Sequence, residues 1–281
     1  MQSFLNGRIV LYEGDCIDIM PMLATASVDL ILADLPYGTT QNKWDSIIPL
    51  DRLWSEYWRI CNGAVVLTAQ TPFDKELGVS CLENLRYEWI WEKANGTGFL
   101  NAKIAPLKTH ENVLVFYRSL PTYNPQMTAG KAYGYFHSKG STNYNVTSGW
   151  HTENNGTRYP RSVLKFPHCR EKLHPTQKPV TLMEYMIRTY TNPSAVVLDN
   201  CMGSGTTGVA AIRSGRRFIG IERDPGYFEI ATRRIEEALK AIDEQLPLPE
   251  ICPVREDRRS PTDGLDDPVS QRSDAPSLLW G

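Results

Sequence analysis

The chain has 281 residues, of which 41% are hydrophobic and 22% charged, the balance of an ordinary globular protein with enough length to bury a full core. No apolar run approaches the roughly 20 residues of a membrane span, and Met1 to Arg8 lacks the charged start and apolar stretch of a signal peptide. A cytoplasmic protein with no membrane partner is therefore expected. The net charge of −2 speaks against a polyanionic partner only as a total. Residues 101–190 hold 12 Lys/Arg against 4 Glu and no Asp, whereas residues 1–100 hold 7 against 13. A basic middle inside an acidic frame is the footprint of a nucleic-acid surface, a merely solvated loop region being the alternative. Six scattered cysteines without a C-x-x-C pair fit reduced thiols, and five histidines without ligand spacing give no metal site.

In chain order, a strand is predicted over Arg8–Tyr12 and a second over Val28–Ala33, followed by the segment Asp34-Leu-Pro-Tyr-Gly38. A helix over Leu50–Cys61, a strand over Ala64–Ala69 and a helix over Phe73–Leu85 come next. Strands over Tyr87–Trp91 and Asn112–Tyr117 are expected to make an antiparallel edge.

Residues 119–172 break this rhythm: Gly, Ser, Thr, Asn and Tyr are interleaved with Lys131, Lys139, Arg158, Arg161 and Lys165. Disordered segments are usually poor in aromatics. The run of aromatics from Tyr123 to Phe166 therefore favours an irregular recognition lobe, since rings and basic side chains together suit nucleic acid.

The rhythm resumes with a helix over Pro179–Thr191, a strand over Ala195–Asn200, a helix over Thr206–Ser214, a strand over Arg217–Ile221 and a helix over Tyr227–Gln245. Proline and charge dominate residues 246–281, which read as a mobile tail. Alternating strands and helices predict an α/β domain over residues 1–245 with a mostly parallel sheet, and 119–172 as its insertion.

Two segments carry chemistry. Gly203-Ser-Gly205-Thr-Thr-Gly208 fits G-x-G-x-x-G between a strand and a helix, and Glu222 ends the next strand where an acid grips a ribose diol. Gly203 and Gly205 would allow positive torsions and close ligand approach. A nicotinamide dinucleotide, a flavin dinucleotide and S-adenosylmethionine all fit that pattern. Asp199 would repel a pyrophosphate but could accept from the ammonium of a methionine moiety; the alternative is a turn cap.

The second segment, Asp34 to Gly38, puts an acceptor and a ring at a strand end, where ligands of open α/β sheets sit. If its strand neighbours that of the glycine loop, a base amine could donate to Asp34 and to the Leu35 carbonyl, with Tyr37 stacked on the base. A plain turn with a Pro-Tyr contact is the bland alternative.

With these motifs in this order, the chain resembles the β class of DNA amino-methyltransferases, which act on adenine N6 or cytosine N4. Asp34-Leu35-Pro36-Tyr37 is similar to their catalytic Asp-Pro-Pro-Tyr motif, Asp199 to Gly205 to their cofactor loop, and His174 to Pro179 and Tyr12 to Cys16 to two further cofactor motifs. The resemblance covers roughly residues 7–240.

It implies a three-layer, Rossmann-like methyltransferase fold with a mostly parallel seven-stranded sheet in circularly permuted order. It also implies S-adenosylmethionine as cofactor and double-stranded DNA as partner, with a homodimer as one option. By the match, Asp34, Leu35, Pro36 and Tyr37 are catalytic. Asp15, Cys16, Asp34, Lys178, Asp199, Cys201, Gly203, Ser204, Gly205, Thr206, Glu222 and Arg223 line the cofactor, with no metal. Leu35 departs from the usual proline, losing stiffness but keeping the carbonyl. Asp at position 34 favours adenine over cytosine. Cytosine C5 chemistry is disfavoured, because its nucleophilic cysteine usually follows proline and no Pro-Cys pair occurs. RNA or protein amide methylation, a dehydrogenase and a silent DNA-binding regulator are the competing readings.

Overall fold

Strand Val28–Asp34 alternates Leu30, Leu32 and Asp34 on one side with Ile31 and Ala33 on the other, and both sides are buried as far as Ala33. A strand apolar on both faces must be covered on both, which is the physical origin of a three-layer fold. The computed structural model describes residues 1–38, 46–137, 150–167 and 177–244.

The chain opens with β1 (Gln2–Phe4), β2 (Ile9–Glu13), α1 (Cys16–Ile19) and β3 (Val28–Asp34). It continues through α2 (Leu50–Ile60), β4 (Cys61–Ala69), α3 (Phe73–Ser80), β5 (Leu85–Thr97) and β6 (Lys108–Phe116). The short strands β7 (Thr128–Ala129), β8 (Tyr133–His137), β9 (Trp150–Asn154), β10 (Thr157–Arg158) and β11 (Val163–Phe166) follow. It closes with α4 (Val180–Tyr190), β12 (Val196–Asp199), α5 (Thr206–Arg213), β13 (Arg217–Glu222) and α6 (Pro225–Asp243).

The central sheet has nine strands in the order β1-β2-β13-β12-β3-β4-β6-β5-β11. All seven expected strands are in it, and the count of seven is corrected by an extra strand at each end. β1 pairs antiparallel with β2, and β11 pairs parallel with β5. The β5–β6 pair is antiparallel as expected, but it is not the edge, because β11 covers β5. Helices α4, α5 and α6 pack one face of the sheet through Met186, Val209 and Ile235, against Leu30, Leu32, Val66, Trp91 and Val113. Helices α1, α2 and α3 pack the other through Ile17, Tyr57 and Leu77, against Ile31, Ala33, Val65 and Leu67.

The described part of 119–172 joins short strands by irregular stretches. β7 pairs with β10 and β8 with β9, both antiparallel. Tyr133, Tyr135, Phe136 and Tyr159 are exposed, while Phe166 packs on the core against Tyr185. Residues 138–149, 168–176 and 245–281, including Lys139, His174 and the expected tail, lie outside the described residues.

Candidate active site

The two motifs meet because β3 and β12 are adjacent and parallel, Val197 opposite Leu30 and Leu198 opposite Ile31. Their carboxyl ends therefore deliver Asp34 and the loop after Asp199 to one edge of the sheet, where a cavity of about 450 Å3 opens. Of the residues assigned by motif, Asp15, Cys16, Asp34, Leu35, Pro36, Tyr37, Lys178, Asp199, Cys201, Gly203, Ser204, Thr206, Glu222 and Arg223 line it. That volume is in the range of small-molecule sites.

Gly205 is brought to the loop but not to the cavity. Its φ is +78° as it starts α5, and a Cβ there would stand 3.0 Å from the Ala231 Cβ of α6. Its want of a side chain serves the packing of α5 on α6. Gly203, with φ +51°, is the glycine that faces the cavity.

The walls of the cavity on the Glu222 side are set by backbone bonds. The Gly203 and Asp224 amides donate to the two Glu222 carboxylate oxygens, each at 2.8 Å, and the Gly14 amide donates to the Glu222 carbonyl at 2.9 Å. Burial pushes the Glu222 carboxyl up, against these amides. Asp15 caps α1 by accepting from the Ile17 amide at 2.9 Å, with Arg223 Nη1 4.0 Å from its other oxygen. Asn200 accepts from the buried Tyr57 hydroxyl at 2.5 Å, which fixes the loop from the α2 side.

Asp199 is almost fully buried and accepts from the Cys201 amide at 3.1 Å, so it caps a turn as well as lining the cavity. Burial pushes its carboxyl up to about 7, although bonds from Thr207 and the Cys201 amide oppose the rise. A cationic group would meet a carboxylate here that has no ion-pair partner among the described residues.

The other side of the cavity is a buried chain of alternating charge. Asp34 Oδ1 accepts from the Tyr37 hydroxyl at 2.7 Å and from the Thr68 hydroxyl, and Oδ2 accepts from Lys178 Nζ at 2.6 Å. Lys178 Nζ also lies 3.3 Å from Glu111, whose second oxygen is 2.5 Å from Lys93 Nζ. Burial disfavours the charge on Lys178, but Asp34, Tyr37 and Glu111 outweigh it and hold the ammonium well above the usual lysine range. Burial likewise disfavours ionised Glu111, and its two lysines overcome that and lower its pKa.

Two of the lining side chains are held by partners within the protein. Tyr37 is buried, its ring stacked on Phe73 at 5.3 Å and its hydroxyl donated to Asp34. Burial and the Asp34 charge keep that phenol protonated. Lys178 lines the cavity, yet its ammonium serves Asp34 and Glu111.

Thr68, Glu111 and Lys93 were not anticipated, although the alternation carried a signal. Trp89, Trp91 and Lys93 share one face of β5, as Glu111, Val113 and Val115 do on β6, and each charged residue prolongs a buried stripe.

Comparison with known proteins agrees with this geometry. A type II methyltransferase of Moraxella bovis, M2.MboI, is 26% identical over 262 residues, 81% of this chain and 87% of that protein. The DNA adenine methyltransferase YhdJ of Escherichia coli K12 is 28% identical over 263 residues, 86% of this chain and 88% of its own. The crystal structure of the M1.HpyAVI-SAM complex superposes with a TM-score of 0.55 at 26% identity, covering 80% of this chain and 99% of that one. The family profile described as DNA methylase matches residues 28–233, a span that holds both Asp34 and Glu222. Asp34, Lys178, Asp199 and Glu222 all fall within that match, and the chain belongs to the DNA methylase family.

Proposed function

We propose that this enzyme transfers a methyl group from S-adenosylmethionine to adenine N6 in double-stranded DNA, on a base turned out of the duplex. The observation that carries the reading is the shared cavity: the Asp34 carboxylate and the Asp199–Glu222 loops line one space at the end of adjacent strands. When bound, S-adenosylmethionine supplies a methyl carbon on a positively charged sulfur. Asp199 suits its ammonium, and Glu222 suits the hydroxyls of a ribose. A carboxylate pushed up to about 7 by burial gains most from a cationic partner.

Asp34 acts by orientation. Its carboxylate, held by Tyr37, Thr68 and Lys178, accepts a hydrogen bond from the amino group, and the Leu35 carbonyl accepts the other hydrogen. Fixing both hydrogens turns the nitrogen lone pair toward the methyl carbon. Lys178 holds the Asp34 carboxylate in place without moving a proton itself. A base buried in a duplex cannot reach such a pocket, so extrusion is required.

Asp at position 34 and the adenine specificity in the name of YhdJ support adenine as the acceptor. Cys16, Cys61, Cys81 and Cys201 are free thiols, which suits the cytoplasm. The test is methylation of genomic DNA in vitro followed by digestion to nucleosides and mass spectrometry. N6-methyladenine is expected; N4-methylcytosine alone would overturn the acceptor, and no methylated base would overturn the activity.

A further inference from the structure

Three of the four most exposed large apolar side chains of the described residues gather at the turn between β5 and β6. Phe99 is 81%, Leu100 97% and Ile104 86% exposed. Single exposed hydrophobics are ordinary, but three on one short turn mark an interaction surface. The turn is built to hold them out. Gly98 takes φ +84°, Phe99–Asn101 form a 3-10 turn, and the Ile104 and Ala105 amides both donate to the Asn101 carbonyl at 2.9 Å. Leu107 packs back on Gly96, where a Cβ would stand only 2.8 Å away. The shape is therefore formed before any partner arrives, and binding costs little further ordering.

Register places the turn over the site. β4 lies parallel to β3 with Thr68 opposite Asp34, and β6 lies antiparallel to β4 with Asn112 opposite Ala69. β6 thus starts beyond the catalytic ends of β3 and β4, and Lys108 lies four residues past the last β4 pair, about 13 Å at 3.3 Å per residue. The turn projects past the edge on which Asp34 and the cavity open. Its roots carry Lys93 and Glu111, the two charges that continue to Lys178 and Asp34.

Charge selects the occupant. Residues 94–110 contain Lys103, Lys108 and His110 and no acidic residue. A second copy of the chain would meet this patch through a two-fold axis and set like charges against each other. A phosphate backbone would be attracted, and apolar side chains between basic ones are what proteins insert between base steps when they unstack a duplex.

We infer that the β5–β6 turn is a DNA wedge: Lys103 and Lys108 rest on phosphates while Phe99, Leu100 and Ile104 press into the stack beside the extruded base. This rests on the DNA methyltransferase reading above and assigns the distortion of the duplex to residues outside both the cavity and the 119–172 lobe.

The test uses the full chain with Phe99, Leu100 and Ile104 all changed to Ser, and separately with K103A/K108A. These side chains are exposed, so the melting temperature and S-adenosylmethionine affinity are expected to match wild type. Binding to a 30-base-pair duplex is expected to weaken at least tenfold in the triple variant, and K103A/K108A to lower the slope of log affinity against log salt by about 1–2. Where wild type methylates, the triple variant is expected to lose duplex activity while keeping activity on the same single strand, which needs no unstacking.

Wild-type affinity for duplex in the triple variant would overturn the wedge. So would equal loss on duplex and single strand, or a wild-type dimer that the substitutions turn into a monomer. Weakened duplex binding in a protein that methylates no DNA would support the wedge and sink the methyl-transfer reading, so the two fail separately.

Discussion

Lys178 Nζ stands 2.6 Å from the Asp34 carboxylate across 144 residues of chain, at the point where the lead-in to α4 passes the carboxyl end of β3. That pair, with only 4% of the lysine side chain exposed, makes the direction of the Asp34 carboxylate a property of the folded enzyme rather than of its ligand.

Replacing Lys178 with Met is expected to leave Asp34 and Glu111 facing each other without their shared cation. Breaking a buried pair on one side costs about 3 kcal/mol or more. The measurement is chemical denaturation together with single-turnover methylation, and a rate drop of roughly 100-fold is expected from loss of orientation. An unchanged rate would remove Lys178 from the mechanism.

Changing Asp34 to Ala is expected to abolish methyl transfer while leaving cofactor affinity within a few-fold, since Asp199 and Glu222 stand on the other wall. Equilibrium binding beside the nucleoside assay separates the two. Retained turnover would end the assigned role of the motif.

Glu111 offers a test through pH. Its two lysines hold its pKa below the ordinary carboxylate range, so it contributes stability above that range and loses it as acid protonates the folded state. Glu111→Gln is therefore expected to melt lower at neutral pH and to show a shallower acid-induced loss than wild type. It also takes one anion from Lys178, so the alkaline limb of the rate profile is expected at lower pH. Glu111→Asp should recover part of both.

Asp199 predicts the pH dependence of cofactor binding. With its carboxyl at about 7 in the free enzyme, the acid is mostly protonated at pH 6 and mostly ionised at pH 8. A cationic ligand binds the ionised form, so affinity is expected to fall as pH drops through 7, and binding near pH 7 should release protons. Calorimetry in two buffers of different ionisation enthalpy reads both, and Asp199→Asn should flatten the profile and weaken binding. A flat wild-type profile would contradict the assignment.

Gly205→Ala tests the packing reading of the glycine loop. The φ of +78° and the approach of Ala231 make alanine strained there, at about 1–3 kcal/mol. A lower melting temperature is expected.

The sequence made the frame legible because the central parallel strands β3 and β4 hold short runs apolar on both faces, and such runs follow from burial alone. Motif order then made most of the cavity legible. The packing of Gly205 on Ala231 was not legible because a fingerprint does not say which glycine faces a cavity and which faces a helix. The burial of Tyr37 was not legible because it depends on Phe73 of α3, a neighbour that spacing does not reveal. Lys93 and Glu111 escaped because each looks solvated alone, and only the pairing of β5 with β6 places them on one buried face. The edge strands β1 and β11 are three and four residues long, too short for periodicity to register.

One reversed strand shapes what this sheet can do. A strand running with its neighbours lends the reaction centre only its last residues, whereas β6 runs against β4 and brings its first ones. Glu111 reaches the ion chain by that route, and so does the whole loop ahead of it. The polarity of a single strand thus gives the enzyme a second bank of side chains from the same edge, one that an all-parallel sheet would have had to borrow from an insertion.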